Sequence, residues 1–99
     1  MYMSRDIMHC KPGKVKDLVE KFKKMSAIVA SLGYPPMRIY TDMSGERYWT
    51  LVAEQEVERL DDFAEMSRKA MNSKEFSDVM AGYHDLVIEG RRELYKVEK

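Results

Sequence analysis

The run MRIYTDMSGERYWTLVAEQ, residues 37–55, decides the fold of this chain. Met37 to Met43 reads as one strand, Ser44-Gly45 as a tight turn and Arg47 to Gln55 as the next strand, so the two pair as an antiparallel hairpin. Met37, Ile39 and Met43 face opposite to Tyr40, and in Tyr48-Trp49-Thr50-Leu51-Val52-Ala53 both alternating sets are aromatic or aliphatic. An antiparallel sheet with one wet face alternates cleanly between apolar and polar positions. This hairpin does not, which predicts that both of its faces are covered.

On the N-terminal side, Val15, Leu18, Val19, Phe22, Met25, Val29 and Leu32 recur at three- and four-residue spacing, the stripe of an amphipathic helix. Pro12 opens it, Gly33 stops it, and Pro35-Pro36 prevents a restart. Asp17 with Lys21 and Glu20 with Lys24 are spaced as i,i+4 pairs on its wet side. Tyr2 to Cys10, ahead of it, reads as a strand.

On the C-terminal side, Glu56, Glu58, Asp61 and Asp62 collect where a helix N-terminus favours negative charge. Val57, Leu60, Phe63, Ala64, Ser67 and Met71 form the stripe of a second helix, broken at Asn72-Ser73. Ser73 caps a further segment in which Phe76, Val79, Met80 and Tyr83 keep helical spacing. Leu86 to Gly90 fits a helix end or a strand start, and Arg91 to Val97 reads as the last strand, with Leu94 on one face and Tyr95 and Val97 on the other.

The order is βαββαβ, an α+β, ferredoxin-like arrangement of a four-stranded antiparallel sheet with two helices on one face. With no internal linker, repeat or low-complexity segment, residues 1–99 read as one domain. A chain of this size buries only about 60 to 65% of the surface that its unfolded form exposes. The expected cover for the second sheet face is another copy of the chain, a homodimer packed sheet to sheet as an α/β barrel.

Composition narrows the class. Lys plus Arg number 17 and Asp plus Glu 17, so the net charge is zero, although residues 1–24 carry +4 and residues 54–75 carry −3. A nucleic-acid surface is expected to be basic with interleaved aromatics; here the lysines share a helix whose one aromatic, Phe22, belongs to the buried stripe, so no nucleic acid is expected. The longest apolar run, Ala27 to Ala30, is far short of the roughly 18 residues of a membrane span. Arg5 and Asp6 interrupt the place of a signal-peptide core, and a single cysteine, Cys10, fits a reducing compartment, so the expected location is cytoplasmic.

Lys11-Pro12-Gly13 followed by the amphipathic helix, the hairpin around Arg47-Tyr48-Trp49, and the ending Arg92-Glu93-Leu94-Tyr95-Lys96-Val97 resemble the dimeric α/β-barrel superfamily. The resemblance points to its antibiotic-biosynthesis-monooxygenase-like and NIPSNAP-like branches. It implies two ferredoxin-like chains packed sheet to sheet as a barrel, with functions from cofactor-independent oxygenation, haem degradation and isomerisation to none known. Haem-degrading members resemble one another in an Asn on the first strand and a Trp and a His on the second helical segment. Asn72, Trp49 and His84 do not match those places, so no haem site is carried over and no cofactor is expected.

For chemistry, His84 is the candidate proton acceptor, because an imidazole titrates near neutrality and Tyr83-His84 ends a helical segment beside the sheet. Tyr40, Trp49 and Tyr83, with Phe63 and Phe76, suit a flat aromatic pocket; aromatics at these spacings equally fill a core. Arg38 and Arg91 suit orientation of an anionic group, or surface ion pairs. His9 and Cys10, adjacent on a strand, point to opposite faces and converge on one atom only through a bulge, and no metal-ligand spacing accompanies them. Nine methionines fit core filling or an adaptable cavity for a small apolar or aromatic ligand. The expected function is small-molecule binding, with cofactor-independent mono-oxygenation or isomerisation of a small aromatic or enolisable compound as its enzymatic form. The alternative is a non-catalytic ligand-binding or protein-interaction barrel.

Overall fold

Tyr2–Cys10 forms β1, with the boundaries that its sequence predicts, and the rest of the sheet is built on it. The structure, a computed structural model, describes residues 1–45 and 47–98. It adds in chain order α1 (Val15–Ser31), β2 (Arg38–Thr41), β3 (Thr50–Val57), α2 (Leu60–Met71), α3 (Lys74–Met80), a 3-10 turn (Tyr83–Asp85) and β4 (Val87–Lys96). Every strand pair is antiparallel, in the order β2-β3-β1-β4. The fold is therefore the expected ferredoxin-like α+β one, with the second helical region split into α2 and α3. The split falls at Asn72-Ser73, where Ser73 Oγ accepts the Phe76 N–H at 3.2 Å.

Local chemistry sets the joints. Gly33 takes φ +94°, and the Tyr34 N–H reaches back to the Val29 carbonyl (3.2 Å) while that of Gly33 reaches Ala30 (3.0 Å), a Schellman closure of α1. Ser26 Oγ then accepts the Met37 N–H at 2.8 Å and ties the approach to β2 onto α1. Lys21 does not pair with Asp17 as its spacing suggests. Its ammonium donates instead to the carbonyls of Val79 (3.0 Å) and Ala81 (2.8 Å), groups left open at the end of α3. Glu20 lies 4.0 Å from Lys23, where Lys24 was expected.

The hairpin differs from its sequence reading. β2 is four residues long and β3 begins at Thr50, so Tyr48 and Trp49 lie in the connection. The Asp42 N–H donates to the Thr50 carbonyl (3.2 Å), and the Asp42 carboxylate accepts the Thr50 N–H at 2.8 Å; the ladder ends there, well before Ser44-Gly45. Trp49 sits at φ +62°, a left-handed conformation foreign to a strand. At the other end of β3, Glu56 and Val57 extend the strand where a helix entry was expected. β4 takes in Val87 to Gly90, settling that ambiguity as strand.

Alternation and register assign the faces. Met8 and Cys10 of β1, Leu51 and Ala53 of β3 and Ile39 of β2 meet Leu18, Phe22 and Met25 of α1 in the core. The opposite face is left open. One of its rungs runs Arg38, Glu54, Arg5, Glu93 across all four strands, and the next runs Tyr40, Val52, Ile7, Arg91. Arg5 bonds Glu54 at 2.9 Å and lies 3.8 Å from Glu93. The expectation of an apolar second face is thus corrected: it depended on Tyr48 and Trp49 being in the strand, and the real face mixes aliphatic and aromatic groups with an ion-paired lattice.

Candidate functional site

Where α2 crosses the sheet, the strands present small side chains. Ser4 and Ala53 lie beneath the helix, and Ala70 is the one buried residue of α2 itself. Nothing large enough fills the gap, and Phe63 and Met66 hang half-buried over it. The result is a chamber of about 130 Å³. Its walls are Met25 and Val29 of α1, Phe63 and Met66 of α2, Phe76 of α3 and Met37; its floor is Ser4, Asp6, Ala53 and Gln55. Past Asp6 and Arg92, which border both spaces, a broader cleft of about 610 Å³ continues over β1 and β4 to Met80, Tyr83 and His84.

The floor is polar but electrically balanced. Arg92 Nε donates to Asp6 Oδ1 at 2.7 Å and a terminal nitrogen to Oδ2 at 3.3 Å, a two-point pairing that holds the guanidinium pKa above its already high ordinary value. Gln55, 4% exposed, sits opposite Ser4, 6% exposed, on neighbouring strands. The Gln55 Nε2 donates to the Pro35 carbonyl at 2.7 Å and lies 3.3 Å from Met66 Sδ, so its side chain is fixed from two sides.

The residues singled out from the sequence are spread over the molecule. Tyr83 and His84 are together, their ring centroids 4.0 Å apart, with Tyr83 half-buried and His84 exposed at the rim of the outer cleft. Phe76 borders both spaces and Phe63 the inner one. Trp49 borders a separate depression with Val15, Thr41, Asp42 and Tyr48. Tyr40 and Arg38 lie on the open face of the sheet, opposite the helices, and Arg91 stands 3.4 Å from Glu93. A register shift does intervene between His9 and Cys10, yet the two still diverge: His9 Nδ1 is 3.3 Å from Thr50 Oγ1, while Cys10 is 2% exposed in the core. Among the described residues, no three His, Cys, Asp or Glu side chains gather as a metal site would require.

Ser4, Asp6, Gln55 and Arg92 were not among the candidates. Their signal was parity: Ser4 and Asp6 share the alternating set of Met8 and Cys10, and Gln55 that of Leu51, Ala53 and Val57. A polar residue on the core-facing set of a strand needs a partner or a cavity.

The sequence matches no family model and no curated protein. Solved structures do match. A NIPSNAP domain protein from Burkholderia xenovorans superposes with a TM-score of 0.84 at 12% identity, covering 99% of this chain and 95% of that one. A NIPSNAP family protein of unknown function from Agrobacterium tumefaciens gives 0.83 at 14%, covering 98% and 87%. An antibiotic-biosynthesis-monooxygenase-like protein from Nitrosomonas europaea gives 0.75 at 13%, covering 98% of each chain. The fold is the ferredoxin-like α+β fold that these solved structures share. At such identities the likeness is one of backbone, and the site has to be read from this chain's own side chains.

Proposed function

We propose that the chain is a small-molecule-binding protein whose ligand occupies the chamber under α2 and enters along the outer cleft past Arg92. The observation that carries this is the chamber itself, a space walled by Met25, Val29, Phe63, Met66 and Phe76 with a few convergent polar groups on its floor. Its volume is near the roughly 150 Å³ of apolar cavities that take up benzene, so it suits a single ring. In the enzymatic form of this reading, His84 takes the proton of a phenolic or enolic ligand that projects into the outer cleft, ahead of oxygenation or isomerisation. The lining that chamber and cleft share, Asp6, Met25, Phe76 and Arg92, supports that form. The balanced Asp6–Arg92 pair, which leaves the chamber without a free base, favours binding alone.

Thermal shift with a panel of single-ring compounds tests the reading. Saturable stabilisation is expected for the native chain and its loss in Ala70→Phe, which fills the chamber. No stabilisation at millimolar ligand would remove the proposal. His84→Gln separates the two forms, since it would abolish turnover while leaving the thermal shift intact.

We further propose that a second copy of the chain covers the open face. The rung Arg38, Glu54, Arg5, Glu93 alternates in sign over four positions, and such a row is complementary to its own reverse, as a twofold axis demands. Sedimentation equilibrium should show a dimer at micromolar concentration that Arg5→Glu, by placing three acids side by side, converts to monomer. No helix among the described residues is long and apolar enough to cross a membrane, and a cytoplasmic location is proposed from the lone thiol of Cys10.

A further inference from the structure

We infer that the chamber selects compact, uncharged ring compounds whose polar head donates a hydrogen bond, such as a phenolic hydroxyl or a primary amide; this rests on the chamber being the ligand site. Ser4 and Gln55 face one another across β1 and β3 and are both more than nine-tenths buried. Among the described residues, no protein group bonds Ser4 Oγ or Gln55 Oε1, whereas no sealed side-chain oxygen or nitrogen lacks a partner. Both oxygens therefore carry accessible surface; Ser4 lines the chamber, and Gln55 lines the chamber on one side and a shallow depression beside Pro35 and Pro36 on the other, so the chamber is the space that the two share.

The hydrogen-bonding capacity left over is mostly accepting. Both N–H groups of Gln55 are directed, one at the Pro35 carbonyl and one at Met66 Sδ, which leaves its carbonyl oxygen. The Ser4 hydroxyl accepts as well as donates, and Asp6 adds carboxylate lone pairs beyond the two that Arg92 occupies. Arg92 is two-thirds exposed and its charge is paired with Asp6 at 2.7 Å, so the floor offers no unpaired charge to an ionic ligand. A charged head of either sign would lose its hydration without gaining an unpaired counter-charge, since Asp6 and Arg92 already neutralise one another. A neutral donor satisfies the floor without that penalty, and Met25, Phe63, Met66 and Phe76 enclose the ring.

Isothermal titration calorimetry on the full chain tests this with phenol and benzamide against toluene, anisole and benzoate. Phenol and benzamide are expected to bind about tenfold or more tightly than toluene and anisole, as one hydrogen bond to buried acceptors implies, with benzoate weakest. Ser4→Ala, which keeps the strand and nearly the same volume, and Gln55→Leu should each bring phenol toward toluene while leaving toluene unchanged. Equal affinity for phenol and anisole, or a phenol preference that survives both variants, would overturn the inference while leaving the chamber as a ligand site. If no ring compound binds, the chamber reading falls and this inference with it.

Discussion

Arg92 grips Asp6 across β1 and β4 with hydrogen bonds of 2.7 and 3.3 Å, and the pair forms the sill between the inner chamber and the outer cleft. The Asp6 side chain is 21% exposed and that of Arg92 67%, so water screens the pair from one side. Asp6→Asn is expected to cost about 1 kcal/mol or less in urea unfolding, as partly exposed ion pairs do. A loss of about 3 kcal/mol or more would show that the pair behaves as a buried one.

Lys21 joins α1 to the end of α3 through the Val79 and Ala81 carbonyls. Lys21→Met keeps the apolar stem and removes the donors. It should lower stability by about 1 kcal/mol and speed hydrogen exchange in α3 while sparing α1. Uniform loss of protection through both helices would show that the contact does not hold α3 locally.

Cys10 is buried in the core, and burial, reinforced by the nearby Asp42 charge, pushes its thiol pKa up. Thiolate is the reactive form. Iodoacetamide at pH 8 should label the native chain far more slowly than the urea-unfolded chain, and thiol-specific oxidants should spare it. Equal rates would mean that the β1 end opens readily. Because the folded state favours the protonated thiol, this contribution to stability is present below the unfolded thiol pKa and fades as the pH rises through the folded one.

Glu65 accepts hydrogen bonds from Tyr34 Oη at 2.5 Å and Lys69 Nζ at 3.0 Å, linking α2 to the turn after α1. The Tyr34 bond, then the Lys69 bond, lowers the Glu65 carboxyl pKa. Stabilisation from a lowered carboxyl is fully present above the unfolded pKa and is lost as the pH falls through the folded one, so the urea midpoint should drop as the pH falls through and below the ordinary glutamate range. Tyr34→Phe should flatten that part of the profile slightly, since the cluster is partly exposed and screened by water. An unchanged profile would show that the bond does not persist in solution.

Much of the framework was legible in the residues. Gly33 marked the end of α1 and Ser73 the start of α3, because a left-handed closure and a side-chain cap are local events. Strand β1 was bounded by Pro12-Gly13 in the same way. Trp49 misled for the opposite reason: its composition says strand, but Asp42 takes the Thr50 amide and ends the ladder first. Lys21 had a suitable carboxylate four residues away, and the open carbonyls of α3, 58 and 60 residues on, took it instead.

The sequence by itself determined the order of strands and helices, the caps and the face of α1 that is buried, since periodicity and capping depend on neighbours a few residues apart. The site was decided by tertiary structure. Register set Ser4 opposite Gln55 and Asp6 opposite Arg92, residues far apart in the chain. The chamber above them exists because Ser4, Ala53 and Ala70 are small at the one place where α2 crosses the sheet. A void is a property of what fails to meet across that gap, and local periodicity carries no record of it.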